Sequence, residues 1–115
     1  MGRIYTPVEI SFNRNKRITV GLIDTGADET VVSEKLANEL GSKFYGTYKA
    51  VCASGFTLTG KYADLHVKEL RSGKSITLKV GVSDIPFDTD DINDEGLNII
   101  LGVDFIQKTG FEIKM

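Results

Sequence analysis

"GLIDTGADETVV", residues 21–32, sets an Asp-Thr-Gly between two apolar runs. Leu22 and Ile23 are neighbours, so they point to opposite faces of an extended chain, and a strand apolar on both faces enters a core. Asp24 then ends that strand. Thr25 offers a hydroxyl that can hold a loop by hydrogen bonding, and Gly26 lets the backbone turn tightly and approach a ligand closely. A carboxylate presented at the rim of a core can move protons, so Asp24 is the leading candidate for chemistry. Taken alone, Asp-Thr-Gly is an ordinary turn tripeptide. Its flanks and the rest of the chain decide between the two readings.

Working backward, "PVEISF" (7–12) alternates, "NRNK" (13–16) supplies turn residues and "RITVGLID" (17–24) returns, which predicts a hairpin. Working forward, the period changes at "SEKLANELG" (33–41). Ser33 is the expected N-cap of a short helix, Leu36, Ala37 and Leu40 share one face, and Gly41 stops it. "TYKAVCA" and "FTLTGKYADLHVKEL" flank Ser54-Gly55 and predict a second hairpin with a glycine at its tip. "RSGK" (71–74) turns the chain into "SITLKVGV" (75–82), where Ile76, Leu78, Val80 and Val82 share a face. An apolar "LNIIL" (97–101), a helix over "GVDFIQKTG" (102–110) and a terminal strand "FEIKM" complete the chain. The reading is an all-β domain with one or two short helices, a single unit over residues 1–115.

Bulk properties exclude several classes. With 41% hydrophobic and 26% charged residues the 115-residue chain has the balance of a globular domain. Its apolar runs are far shorter than the roughly 20 residues a spanning helix needs, so no membrane partner is expected. A net charge of -2 argues against nucleic acid as a partner. No charged-then-apolar leader opens the sequence, and the expected compartment is the cytoplasm. One cysteine, Cys52, precludes an internal disulfide and any cysteine-based zinc cluster. The segment 84–95 concentrates Asp84, Asp88, Asp90, Asp91, Asp94 and Glu95; without them 14 basic residues face 10 acidic ones. As a calcium loop it fails, because the twelfth position counted from Asp91 is Gly102 and not Glu. His66 alternates with Leu65 and Val67 and is expected to point outward with Asp64 and Lys68.

"LIDTGADETVV" together with "NIILGVDFI" resembles the retroviral-type aspartic proteases, the retropepsins, and their cellular relatives. Asp-Thr-Gly-Ala (24–27) and Ile-Leu-Gly (100–102) stand in the family's order and separation, with a glycine-bearing hairpin between them. The resemblance spans nearly the whole chain. It implies a closed retropepsin-like barrel acting as a homodimer, a peptide or protein substrate, and no metal or other cofactor. Pepsin-like enzymes carry two Asp-Thr-Gly loops in one long chain, whereas this short chain has one, so the second Asp24 is expected from a second copy. By the same resemblance Asp24, Thr25 and Gly26 form the catalytic loop. Ala27 and Asp28 line the cleft, and Ser54, Gly55 and Phe56 fall at the tip of the family's mobile flap. Leu97, Asn98 and Ile100 fall on the segment that walls the subsites, although for Leu97 and Ile100 plain core is an equal reading. "GRIYT" and "FEIKM" match regions that build the viral dimer's interface sheet. Where viral enzymes often place an arginine after the second motif's glycine, this chain has Val103. The implied activity is endopeptidase cleavage; the alternative is a retropepsin-like module that binds peptides or dimerises without cutting.

Overall fold

The computed structural model describes residues 4–51, 57–85 and 97–113. Seven strands and two short helices follow in the order β1 (Ile4–Phe12), β2 (Asn15–Ile23), β3 (Val31–Ser33), α1 (Glu34–Glu39), β4 (Tyr45–Val51), β5 (Thr57–Glu69), β6 (Ser75–Ser83), β7 (Ile99–Leu101) and α2 (Val103–Thr109). The strands form one sheet in the order β1-β2-β7-β3-β6-β5-β4, and an extra β1–β5 pairing closes six of them into a barrel. The closing pairing spans Val8–Ser11 of β1, and β4 lies outside the ring, paired with β5 alone.

The first hairpin forms as its alternation predicts. Phe12 pairs with Asn15 at the turn and Ile4 with Ile23 at the open end, so the register carries β2 straight to Asp24. Val8 and Ile10 of β1 and Leu65 and Val67 of β5 enter the core, with Val80 and Val82 of β6 beside them. α1 packs Leu36, Ala37 and Leu40 into the same core. Ser33 caps it as expected, its Oγ accepting from the Leu36 N–H at 3.2 Å. α2 adds Phe105 to that core, and Gly110 ends this helix in the left-handed region at φ 71°. No helix among the described residues is long and apolar enough to cross a membrane.

Two features depart from the sequence expectations. Val31–Ser33 is a strand of its own, parallel to β6 and antiparallel to β7, where the sequence reading assigned no element before the helix. Residues 111–113 form no strand. Phe111 packs on Phe105 with ring centroids 6.1 Å apart.

Glu69 is a carboxylate with no exposed surface. It is satisfied by the Thr6 hydroxyl of β1 and by the backbone N–H groups of Arg71 at 3.1 Å and Ser72 at 2.6 Å, so it ties β1 to the 69–74 turn. Burial pushes this carboxyl upward, but hydrogen bonds from Ser72, Thr6 and Arg71 outweigh it and the net displacement is below the ordinary 4.5. A carboxyl held down in the folded state contributes stability above its unfolded value, and that contribution is lost as pH falls through the folded one. Stability should therefore drop as pH falls below about 4.5, the ordinary value. Glu69→Gln should cost about 1–3 kcal/mol near neutral pH, because at least one buried donor loses its acceptor. It should also flatten the acid limb. Urea titrations between about pH 3 and 7 check both, and an unchanged acid limb in the variant would refute the assignment.

Candidate active site

Asp24 stands where β2 leaves the sheet. Its own N–H continues the parallel β2–β7 ladder by donating to Leu101 O at 3.0 Å, which pins the residue's backbone to the barrel. Beyond it the chain turns. The Gly26 N–H donates to Asp24 Oδ1 at 2.9 Å and the Ala27 N–H to Asp24 O at 3.2 Å. A Cβ on Gly26 would come 3.2 Å from Asp24 Oδ1, tight enough to press on the carboxylate. Asp24 is half-buried, Thr25, Gly26 and Asp28 are exposed, and Ala27 and Glu29 are half-buried. The turn thus offers the carboxylate at a surface while one of its oxygens is already oriented.

The second motif locks this loop from below. Gly102 lies so close to it that an added Cβ would sit 2.7 Å from Glu29 C and 2.8 Å from both Ala27 O and Glu29 O. All three atoms are backbone, so only glycine fits there. α2 has no side-chain N-cap. Its first N–H groups, which no intrahelical carbonyl can satisfy, instead reach the loop: Val103 N donates to Ala27 O at 2.8 Å and Asp104 N to Asp28 O at 3.2 Å. The place after Gly102 therefore contributes through its backbone, and Val103 needs no charged side chain to do so.

Asp104 completes the clamp, and sequence reasoning missed it. Its Oδ2 accepts from Thr30 N at 3.1 Å and its Oδ1 from the Thr30 hydroxyl at 2.7 Å. Thr30 Oγ1 in turn accepts from Gly102 N at 3.1 Å. The only hint in the sequence was an acidic residue in the first turn of a helix, which is common for dipole reasons alone. Thr30 is fully buried, so removing the carboxylate strands its donors. Asp104→Ala should destabilise the protein by about 2–4 kcal/mol, and Asp104→Asn, which keeps one acceptor, by roughly half as much. Equal urea midpoints for wild type and Asp104→Ala would refute the clamp.

Two apolar clusters flank the loop. Leu22, Leu97 and Ile100 are buried together, with Tyr5, Ala27 and Ile85 packed against them. Val31, Tyr48 and Leu58 form the other beneath the β4–β5 hairpin, with Ala50, Tyr62 and Ile85. Leu97 and Ile100 therefore lie beside Ala27, in one cluster with it. Asn98 is used differently: its Oδ1 accepts from Ser33 Oγ at 2.8 Å and its Nδ2 donates to Thr19 Oγ1 at 3.3 Å, so the side chain joins β2 to β3. Ser54, Gly55 and Phe56 lie outside the described residues, as does Cys52; β4 and β5 converge on them with Val51 paired to Thr57. His66 is partly exposed, with Nδ1 2.9 Å from Thr77 Oγ1. Ile4, Tyr5, Ile23, Phe111 and Ile113 are among the residues that line a groove of about 150 Å³.

The chain matches the family model described as "gag-polyprotein putative aspartyl protease" over residues 8–108. Among solved structures it is similar to the EIAV protease complexed with the inhibitor HBY-793, with 25% identity and a TM-score of 0.66, over 99% of this chain and 94% of that one. It shares the fold of the retroviral protease-like domain of Ddi1 from Leishmania major, with 16% identity and a TM-score of 0.61, over 100% of this chain and 83% of that one. No curated protein sequence matches it.

Proposed function

We propose that this chain, which belongs to the gag-polyprotein aspartyl protease family and has the retropepsin fold, is an aspartic endopeptidase whose catalytic pair is completed by a second copy. The observation that carries this reading is the single Asp24 at the end of β2, surface-presented and doubly anchored through Leu101 and Gly26. The bond to Gly26 is one that any Asx turn makes, but the place of this carboxylate, beside the apolar cluster that holds Ala27, suits it to a substrate in the cleft. The sequence contains one Asp-Thr-Gly, so a dyad needs two chains. Residues 111–113 support the same view: they alternate half-buried, exposed, half-buried, the pattern of a strand, yet pair with none among the described residues. A partner's terminus would supply the edge.

In the dimer two Asp24 carboxyls face one another. Carboxylates a few ångströms apart do not both ionise readily and share one proton, as is known for aspartic proteases as a class. The ionised member takes a proton from a water, which attacks the scissile carbonyl. The protonated member polarises that carbonyl, and the leaving amine is protonated as the C–N bond breaks. An extended peptide occupies the cleft over Ala27 and Asp28, against the cluster of Leu22, Leu97 and Ile100, with the β4–β5 hairpin above it. The EIAV protease was solved with an inhibitor bound, which is in keeping with a ligand-accessible cleft in this fold.

The test is to incubate wild type and Asp24→Asn with a diverse peptide mixture over a range from acidic to neutral pH and to map the cleavage sites. Cuts made by wild type alone support the dyad. Identical cutting by both proteins refutes it, and no cutting by either favours a peptide-binding module.

A further inference from the structure

The loop carrying Asp24 is clamped on one side by Gly102 and Asp104, but Glu29 reaches the other way. Tyr62 of β5 donates its hydroxyl to Glu29 Oε1 at 3.2 Å. This tyrosine has little freedom. Its ring meets the buried Tyr48 edge-on, with centroids 5.5 Å apart and planes at 84°, and lies 6.2 Å from the Tyr45 ring. Lys79 Nζ sits 4.0 Å from its centroid, within cation–π range. Tyr48 is itself seated on Gly81, where an added Cβ would come within 2.5 Å of its ring. Tyr45 is tied off at its far end by a 2.6 Å hydrogen bond to Asp64.

We infer that Tyr62 is a positioning residue: it couples the base of the β4–β5 hairpin to the Asp24 loop and, through Glu29, sets the loop's peptide-binding edge. The geometry makes it suited to this. The hairpin base reaches Tyr62 through packed rings, and Tyr62 reaches the loop through one directional bond. Desolvation, together with the Glu29 charge and hydrogen bond, holds the Tyr62 phenol above its ordinary range, so it stays a donor at any pH where such proteins are assayed. The opposite anchor, on α2, leaves the loop's Glu29 side chain unrestrained, so the tyrosine hydroxyl is what holds that side chain to the barrel wall.

Amide hydrogen exchange decides this in the native protein without requiring activity. Tyr62→Phe, which keeps the ring, should speed exchange of the Gly26, Ala27 and Thr30 amides by about tenfold, the scale of one lost hydrogen bond to a charged acceptor. The β1–β2 hairpin should be unaffected. Glu29→Gln keeps an acceptor and should retain the protection, whereas Glu29→Ala should match Tyr62→Phe and the double variant should be no worse than either. Unchanged exchange in Tyr62→Phe, a rise spread over the whole barrel, or additive effects would each overturn the inference. The kinetic part rests on the protease reading: on peptides cut by wild type, Tyr62→Phe should raise KM by about tenfold while kcat moves less than about twofold. An unchanged KM would also overturn it. If wild type cuts nothing, the protease reading fails and the exchange result still stands for Tyr62.

Discussion

Asp24→Asn is expected to abolish cleavage, with losses of about 10²–10⁴-fold from the proton-transfer role alone, while the fold and dimer survive. An asparagine carbonyl oxygen can still accept from Gly26 N, now 2.9 Å from Asp24 Oδ1, and the backbone bond to Leu101 O does not depend on the side chain. What disappears is the ionisable group. No neutral amide can take a proton from water and return it to an amine. Mixed dimers sharpen the test. If each copy contributes one carboxyl, a wild-type chain paired with an Asp24→Asn chain is as inactive as the variant alone. At a constant total chain concentration, replacing active chains by inactive ones should then lower activity as the square of the wild-type fraction. A linear decline would mean that each chain acts by itself and would end the two-chain mechanism.

Gly60→Ala is expected to be the most destabilising small substitution in the barrel. A Cβ at this position would lie 1.8 Å from Val82 O, 2.9 Å from Val82 C and 3.3 Å from Ser83 Cα. Every one of these atoms is backbone, so no rotamer change relieves the clash. β5 and β6 would have to separate where Gly60 pairs with Ser83 and Lys61 with Val82, and where Ser83 Oγ bonds Thr59 O at 2.9 Å. The cost should reach on the order of 3 kcal/mol or more, which for a domain of this size lowers Tm by about 10–15 °C. Thermal unfolding followed by circular dichroism measures it. A shift of less than a few degrees would mean that the two strands do not approach so closely.

Local patterns made much of this fold readable. The β1–β2 hairpin, the Ser33-capped helix and the helix ended by Gly110 each depend on residues a few positions apart, and each formed as alternation and capping predict. β5 shows where such reading stops. Its buried positions run Leu58, then Ala63, Leu65, Val67 and Glu69, so the covered face changes partway along one continuous strand. Nothing in the strand announces the change. It follows from what lies opposite: the cluster around Tyr48 and Val31 covers the first half, and the barrel core covers the second. The burial of Glu69 has the same origin, because its charge is tolerated only where Thr6, Arg71 and Ser72 converge on it.

The sequence by itself determined the family and the all-β class and singled out Asp24 as the candidate, because two motifs at a set separation and short-range periodicity are properties of one chain read in order. Only the tertiary structure decided what holds Asp24 in place. Asp104 and Thr30 are 74 positions apart and Tyr62 and Glu29 are 33 apart. Such pairs exist only once barrel closure has brought β7, α2 and β5 around the loop, since a hydrogen bond requires contact in space and sequence spacing carries no record of it.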